Sequence, residues 1–475
     1  MARGAETRIP GILRRAQKSA RRSTQDARCV GSLRWANRHK AVLVLLAACV
    51  WSAPTHASFI LGAGTSLAYD TNVGRVETGA QPDLIQSLFG GVLYTEKLGA
   101  LSARAIAQVE WRHFYRGTFN DDRTGYLDGS ALWTIVPQRL TWVLDDTFRE
   151  VLLSVTAPDT PGNRTQSNAL NTGPDVTFAV DPANAILFGA KYGRLDIKNS
   201  NGDNRRYSGL LQGLHAFTPQ TSMSLNYEAV KVFFEPQAQA FPEVLIQNVF
   251  AHFQTLNTGN GGTVDVGTTK VIRYTAPPLD GRLVRVGFTR ALSRQLEIRF
   301  AYADQVSDTY SDQIRGIASS RAPSDAGVVG AGATNFGSGD LYKTKRGELA
   351  LGNHGEALEY AFAGYARKVN YFTLVDNDYD EAGGRLGANW NSGARRILGY
   401  ADYLRRTFTN LDRTDVMVNY GLGVDYRLNG NVTVTLTGSV AKQQSTVPGN
   451  SFVDQRVMLA VGYSTGRGYD VVSRR

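Results

Sequence analysis

Long segments in which apolar and polar residues alternate constrain the fold of this chain most. In NVTVTLTGSV, residues 431–440, Val432, Val434 and Leu436 occupy one face, while threonines occupy the other. The segments 415–428 and 295–302 alternate in the same way. Successive side chains of a strand point to opposite faces, so each segment predicts a strand with one apolar face. An average strand has only about five or six residues, so longer alternating spans favour tilted strands that cross a bilayer.

The alternative to a membrane protein is a large secreted all-β protein. No apolar run in the chain has the length of a membrane helix. A closed barrel pairs all of its backbone groups, and it is therefore the β-structure that can lie in lipid. The predicted fold class is all-β, a transmembrane antiparallel up-and-down β-barrel in the cell outer membrane.

The connections between alternating segments are short and long in turn, as in outer-membrane barrels, whose short turns face the periplasm. The longest connections fall near 236–281 and 309–341. We interpret EVLIQNVFAHFQTL, 243–256, as part of a long loop that folds over or into the pore. The short turns are VPQR (136–139), DPAN (181–184), TPQT (218–221), LSRQ (292–295), NHGE (353–356), NSGA (391–394) and LNGN (428–431).

The number of predicted strands is about eighteen, and an even number places both ends of the barrel in the periplasm. The predicted spans are 59–69, 82–96, 100–116, 124–136, 139–156, 165–180, 185–197, 205–217, 221–235, 281–291, 295–308, 342–352, 356–372, 381–391, 395–409, 413–427, 431–446 and 452–463.

Residues 1–57 predict a signal peptide with a long basic front, ahead of a barrel domain over 58–475. The apolar run AVLVLLAACVW, 41–51, is followed by SAPTHA, which ends in a small-residue cleavage pattern at Ala57. An alternative is lipid modification at Cys49, because LAAC resembles a lipoprotein cleavage box. Translation could also start at Val30 instead of Met1.

Nine of the ten units of net positive charge belong to this leader. Residues 1–57 hold 11 of the 52 basic and 2 of the 42 acidic residues, which leaves 41 basic and 40 acidic residues. A balanced mature chain excludes a nucleic-acid partner on charge grounds. Both cysteines, Cys29 and Cys49, precede position 58, so the mature chain has no thiol ligand or disulfide.

The first strand runs into the turn AYDTNVGR, 68–75. A first strand that leads into YDxN (here Tyr69, Asp70 and Asn72), followed by a barrel with short Pro- or Gly-containing turns, is similar to outer-membrane β-barrels found with exopolysaccharide and capsule biosynthesis systems. The resemblance covers the mature chain in pattern, and few residues carry it. It implies passage of a polysaccharide across the outer membrane, or help in assembling an export machinery.

Hydrolytic activity is the competing hypothesis for a barrel of this type. Position 58 onwards holds four histidines, of which His113 is the most suggestive because Asp121 and Asp122 follow it. A triad also needs a positioned nucleophile, and no G-x-S-x-G elbow occurs. We therefore expect His113 to be an interfacial residue among aromatics, and we expect no enzymatic activity.

No cofactor or metal site is predicted. Asp376, Asp378 and Asp380 have the spacing of a calcium-binding loop. However, Glu381 stands where the sharp turn of such a loop needs Gly, and the twelfth position is not Glu. We interpret the segment as an acidic extracellular loop, with calcium, or a divalent ion that bridges lipopolysaccharide, as the alternative.

The alternation also predicts which charged side chains face the lumen. The acidic ones, Glu110, Glu297, Asp415 and Asp425, could form salt bridges that brace the wall. Alternatively, a basic lining attracts an anionic chain by Coulomb forces at close range. The basic residues predicted to line this substrate path are Arg104, Arg112, Lys191, Arg285, Arg299, Arg385 and Arg427.

The leading functional hypothesis is a channel for export of an exopolysaccharide. The alternatives are a general or nutrient-uptake porin, and a structural barrel without transport. The expected partners are outer-membrane lipid and lipopolysaccharide, together with a polysaccharide chain and periplasmic export machinery if the export hypothesis holds.

Overall fold

A computed structural model describes residues 57–97, 99–200, 202–235, 243–257, 259–274, 276–320 and 336–466. The predicted leader, apart from Ala57, lies outside the described residues, so its cleavage stays a prediction. In the described part of the chain, no helix is long and apolar enough to cross a membrane.

Twenty strands, β1 to β20, form one sheet across the described residues. Most have 13 to 16 residues, which is the length that the alternating segments predict. The strands are Ser58–Asp70, Asp83–Glu96, Leu101–Phe114, Asp122–Val136, Leu140–Leu152, Arg164–Ala179, Asn184–Ile197, Asn204–Thr218, Thr221–Phe234, Val244–Asn257, Asn260–Arg273, Ala276–Ala291, Leu296–Asp308, Leu341–His354, Leu358–Tyr371, Tyr379–Ser392, Arg395–Phe408, Arg413–Arg427, Val432–Ser445 and Phe452–Ser464.

Each strand pairs antiparallel with the next, and β1 pairs with β20, which closes the barrel. At the closing seam Ala63 lies opposite Tyr463, and Tyr69 lies opposite Val457. Closure leaves no free sheet edge, so backbone donors and acceptors can be paired within lipid. The predicted fold class is therefore confirmed.

The strand count and one loop prediction are wrong. The segment 243–256 is not a loop over the pore, because it forms β10 in the barrel wall, and β11 follows it directly. The alternation in these strands is weak. In β10 the inward face carries Ile246 and Phe250, so both faces are apolar, and in β11 only a few outward positions are large and apolar. Membrane strands have a weak sequence signal one at a time.

The two ends of the barrel differ as expected. The connections at one end, which we call the short-turn end, have two to four residues, and all seven predicted short turns lie there. The opposite end, called the loop end, carries most of the longer links, including 71–82, 153–163 and 309–340. The link 309–340 contains the helix α1, Thr309–Ser320. Short 3-10 turns, Pro161–Asn163 and Val375–Asn377, lie in two other links.

The outward face is apolar, with aromatic residues toward its borders. Leu422, Leu436 and Val109 are among the most exposed large side chains, at 71%, 53% and 67%. Aromatic girdles at both interfaces are typical of outer-membrane barrels. The outward aromatic residues near the short-turn end are Trp133, Trp142, Phe178, Phe217, Tyr360, Trp390, Tyr426 and Tyr463, and those toward the loop end include Tyr69, Tyr207 and Tyr403.

Candidate functional site in the lumen

Seven charged side chains, one histidine and one alanine follow one continuous row on the inner face of the barrel, from β10 to β18. Each member lies directly opposite the next on the neighbouring strand. The row begins toward the short-turn end of β10 and reaches the loop end at β16–β18. We call it the charged row: His252, Asp265, Arg285, Ala303, Arg346, Arg367, Glu381, Arg406 and Asp415.

At the loop end of the row, one carboxylate binds two guanidinium groups. Arg406 donates to Glu381 Oε2 from Nε at 2.9 Å and from Nη2 at 2.7 Å. Arg367 donates to Glu381 Oε1 at 3.3 Å and to the hydroxyl of Tyr379 at 2.6 Å. The ring of Tyr379 also lies under both guanidinium groups, at 5.3 Å from Arg367 and 4.8 Å from Arg406. These contacts fix the two arginines on the wall.

At the other end of the row, an acidic side chain binds a histidine and an arginine. His252 Nδ1 lies 2.5 Å from Asp265 Oδ1, and Arg285 Nη1 donates to Asp265 Oδ2 at 3.3 Å. Arg285 also donates to Gln305 at 2.6 Å. Between the two ends, Arg346 forms an ion pair with Glu348. The row has four arginines and three carboxylates, so its formal charge is +1 with His252 neutral.

Arg285, alone of the seven basic residues predicted to line the substrate path, belongs to the charged row. Arg299 pairs with Glu297, and Arg385 lies 3.5 Å from Asp402 in a neighbouring row. On the far side of the barrel, Arg112 lies 2.7 Å from Asp122 and 3.6 Å from Glu150. Arg104 lies toward the short-turn end of β3, and Arg427 lies exposed at the short-turn end of β18.

Lys191, the remaining predicted lining residue, binds polar groups at a point where the pairing of two strands is interrupted. Its ammonium lies 2.7 Å from Asp175 and donates to the carbonyl of Gly173 at 3.0 Å. The residue after Gly173 is Pro174, which has no backbone donor, and neither residue pairs with β7. The contacts of Lys191 are therefore those of a wall-bracing residue.

The predicted acidic residues also hold basic partners. Asp415 accepts two hydrogen bonds from Arg413, at 2.9 and 2.7 Å. Asp425 accepts from Arg396 Nε and from the Thr435 hydroxyl, each at 2.7 Å. The side chains of Asp415 and Asp425 are both buried. The ion pairs brace the wall, and the charged row adds a path on which guanidinium groups outnumber carboxylates.

The sequence analysis missed Arg346, Arg367 and Arg406. Each of the three occupies the polar face of an alternating strand, so the sequence did indicate that its side chain points into the lumen. Their common row, however, depends on the register between β14, β15, β16 and β17, which no single strand reveals.

The helix α1, at the start of the link 309–340, folds into the lumen and reaches the opposite wall. Arg206 of β8 forms a buried ion pair with Asp308, at 2.8 Å, with both side chains 4% exposed. Tyr310 of α1 stacks under the Arg206 guanidinium at 4.0 Å and donates to the carbonyl of Leu170 at 3.2 Å. Gly193 makes room for this ring, since a Cβ there would lie 2.3 Å from the Tyr310 hydroxyl. The helix α1 therefore narrows the lumen from β13 across to β6–β8.

Two loop-end links meet in an apolar layer inside the barrel mouth. Val155, from the link 153–163, packs in one buried cluster with Phe336 of the link 309–340. Arg413 fixes the first of these links by donating to the carbonyl of Thr156 at 2.6 Å. The other members of the cluster are Tyr342, Val369, Tyr371, Tyr379 and Phe408.

The YDxN residues organise the first loop-end turn. Asp70 accepts a hydrogen bond from the backbone N–H of Asn72 at 3.0 Å. The Asn72 side chain bonds both backbone groups of Val76 and donates to the carbonyl of Val453 in β20 at 3.2 Å. Asx side chains that bond nearby backbone groups are typical of turns. The contacts of Asp70 and Asn72 therefore define the chain path where the barrel closes.

Burial and nearby charges shift the pKa of three carboxyl groups in the loop-end links. Burial raises the pKa of Asp203 to about 6, and the nearby charges of Asp196 and Glu235 act in the same direction. The hydrogen bond from the Ile197 backbone N–H lowers the pKa but does not offset them. Burial also raises the pKa of Asp340. At Asp159 burial acts in the same direction, but the hydrogen bond and charge of Arg164 outweigh it and lower the pKa.

The residues considered for catalysis and for calcium binding have the following surroundings in the structure. His113 lies between Trp111 and Tyr115, with ring centroids at 5.8 and 4.8 Å, and its Nδ1 lies 2.8 Å from Asp121. Asp378 accepts the backbone N–H of Tyr371 at 2.7 Å, whereas Asp380 lies on β16 near Lys368. Within the described residues, no group of three or more His, Cys, Asp or Glu could hold a metal ion.

Comparison with known proteins agrees with the barrel. A family model described as "Putative beta-barrel porin 2" matches residues 396–464, which run from β17 to the end of β20. No curated protein matches the sequence. Similar solved structures include a mutant ferric enterobactin receptor from Pseudomonas aeruginosa, with 9% identity, a TM-score of 0.43, and coverage of 86% of this chain and 82% of that chain.

Two further structures have similar values. The FrpB iron transporter from Neisseria meningitidis has 9% identity and a TM-score of 0.42, over 88% of this chain and 82% of that chain. The siderophore receptor PirA from Acinetobacter baumannii has 8% identity and a TM-score of 0.43, over 86% and 81%. The closed barrel and its outward apolar belt make this chain an outer-membrane β-barrel, of which the segment 396–464 is similar to the porin model.

Proposed function

We propose that this protein is an outer-membrane channel for anionic solutes. The observation that carries the proposal is the charged row, which places four guanidinium groups along one inner wall from the loop end toward the short-turn end. Rings of Arg or Lys select anions in pores. Because three carboxylates share the row, we expect weak selectivity and fast release, not tight binding at one position.

The preferred solutes carry a carboxylate, sulfate or phosphate group. Arg offers a planar fork that fits such groups with two hydrogen bonds. The apolar layer at the loop end and the inward link 309–340 favour small solutes over a polymer, because both narrow the mouth. A general or nutrient-uptake porin is therefore the first form of the proposal, and the proposal includes no catalytic step.

Export of an anionic exopolysaccharide is the second form. The turn with Tyr69, Asp70 and Asn72 supports it by resemblance. A polymer would need the layer around Val155 and Phe336 to open, since these two links pack together. In this form the periplasmic export machinery would deliver the chain at the short-turn end.

Reversal potentials in a KCl gradient test the proposal. The protein in planar bilayers should pass Cl⁻ in preference to K⁺, and Arg346→Gln with Arg406→Gln should reduce that preference. Arg205→Gln with Arg282→Gln is the matched control, because both residues are exposed and lie on the outward face. Cation selectivity in the unmodified protein would contradict the proposal. An equal effect of the control pair would assign the selectivity to the surface and not to the lumen.

A second measurement separates the two forms. Tyr310→Ala removes the ring that anchors α1 to Arg206 and Leu170. If α1 is what limits the passage, the single-channel conductance should rise while the ion preference remains. Loss of surface polysaccharide after deletion of the gene would favour export, and unchanged polysaccharide would favour uptake.

A further inference from the structure

Four basic side chains lie together on the outward face of the barrel, near the loop end of β14–β17. We call them the outer basic patch: Lys343, Lys345, Lys368 and Arg405. Lys345 lies directly opposite Lys368 on the neighbouring strand. Outward positions below the patch are apolar, including Leu349 at 50% and Phe362 at 52% exposed. The patch therefore lies at the loop-end border of the lipid-facing belt.

A groove of about 610 Å³ lies against this patch. Its floor is a row of small residues, in which Gly347 lies opposite Ala366 and Ala366 lies opposite Ala382. Tyr302 ends the row on one side and Arg405 ends it on the other. At this level the outward face elsewhere carries aromatic residues, so the missing side chains form a depression in the girdle.

Backbone conformation requires neither Gly347, which lines the depression, nor Gly364, which lies two residues before Ala366 on the outward face of β15. Gly347 and Gly364 both lie outside the positive-φ glycines of the chain. A Cβ at Gly347 would have only the Tyr302 ring as a neighbour, at 4.0 Å, and a Cβ at Gly364 would lie in open space. Larger side chains would therefore fit at both positions, and what the glycines provide is surface space.

The acidic residues nearby do not balance the patch. Lys345 lies 3.9 Å from Asp304, and Lys368 lies 3.3 Å from Asp380. Arg405 and Lys343 form no ion pair with any residue that the structure describes. Four cations and two carboxylates leave a formal charge of +2 on an outward surface. Such a surface attracts anionic lipid headgroups.

We propose that the groove and the outer basic patch bind a phosphorylated glycolipid of the outer leaflet, the lipid A part of lipopolysaccharide. The phosphate groups contact Lys345, Lys368 and Arg405, and an acyl chain fills the depression over Gly347 and Ala366. Three observations carry the proposal: the excess positive charge, its depth at the loop-end border of the belt, and the groove that no side chain of the barrel fills.

Native mass spectrometry of the purified protein with added lipid A tests this site. The unmodified protein should retain lipid A, and Lys345→Gln with Arg405→Gln should weaken retention about tenfold or more. The matched control is Lys231→Gln with Lys270→Gln, two outward residues toward the loop end on β9 and β11. Retention in this control should stay close to that of the unmodified protein.

Filling the groove gives an independent test. Gly347→Leu should reduce retention, whereas Gly213→Leu should not, because Gly213 is an outward glycine with open space on the far wall. Heat-modifiable gel mobility shows that each variant has folded. If the two charge variants lost lipid A retention equally, the effect would come from general surface charge, and the proposed site would be overturned. Equal retention of phosphatidylglycerol would overturn the choice of lipid A. Channel conductance should remain in all variants, so the site and the proposed function fail separately.

Discussion

Glu381 accepts two hydrogen bonds from Arg406 on the neighbouring strand, at 2.9 and 2.7 Å, and both side chains face the lumen. Arg367 shares the same carboxylate, with 8% of its side chain exposed. One carboxylate is therefore shared by two guanidinium groups that water reaches only in part, which leaves one positive charge without a carboxylate of its own in this trio.

The first prediction concerns the carboxylate of Glu381 and the two arginines that bind it. Glu381→Gln removes the carboxylate that both arginines bind, and breaking such a buried pair costs about 3–5 kcal/mol. We expect a lower unfolding midpoint in detergent and stronger anion preference in bilayers. The control is Glu359→Gln, at the short-turn end of β15. An unchanged unfolding midpoint in Glu381→Gln would show that water already screens the charges of Glu381, Arg367 and Arg406 from each other.

The second prediction concerns the two faces of β13. Phe300 is 41% exposed on the outward face, and its neighbour Ala301 faces the lumen. Phe300→Arg should impair assembly, because Arg near the bilayer midplane costs about 2–4 kcal/mol. Ala301→Arg should be milder, since it enters the lumen opposite Glu348. Folding-shift gels measure both, and the reverse order would mean a register displaced by one residue.

The third prediction concerns the interruption at Gly173 and Pro174. Lys191→Met leaves the Gly173 carbonyl and the Asp175 carboxylate without the Lys191 ammonium. Hydrogen bonds to charged groups contribute about 1.5–3 kcal/mol, so we expect a lower unfolding midpoint. Lys191→Arg keeps the charge and should lose less. Equal midpoints in Lys191→Met and the unmodified protein would show that the interruption needs no side-chain donor.

The fourth prediction uses the pKa of Asp203, which burial raises to about 6 from an ordinary value of 3.8. A raised carboxyl pKa means that the charged form disfavours the folded link 198–203. Stability should therefore increase as the pH falls from 7.5 through 6 toward 4. Asp203→Asn keeps an acceptor for the Ile197 N–H and should be more stable than the unmodified protein at pH 7.5. The two proteins should have similar unfolding midpoints near pH 4, and a difference that does not change with pH would contradict the assignment.

The fifth prediction concerns processing. Cleavage after Ala57 should place Ser58 at the N-terminus of a protein in the outer-membrane fraction. β1 begins at Ser58, so no residue of the barrel would be lost. N-terminal sequencing checks the site, and a lipid-blocked Cys49 would instead show lipoprotein processing.

The alternation by itself determined the fold class and the facing of side chains. Residues such as Val432, Leu436 and Leu422 fix one face of each strand, and the pleat then places every second residue on the other. The short turns were also readable, because Pro, Gly and Asn restrict the backbone locally. All of this information lies within one strand or one turn, so a single sequence contains it.

Only the tertiary structure decided how the strands combine. Asp265, Arg346 and Arg406 belong to separate strands, and their common row exists because long-range pairing sets one register around the barrel. The segment 243–256 was predicted to lie over the pore, whereas α1, at the start of the link 309–340, enters the lumen instead. Its path depends on contacts such as Arg206 with Asp308, about 100 positions apart in the chain. Alternation with a period of two residues indicates only which face of its own strand a residue occupies. It therefore cannot predict a contact between distant segments.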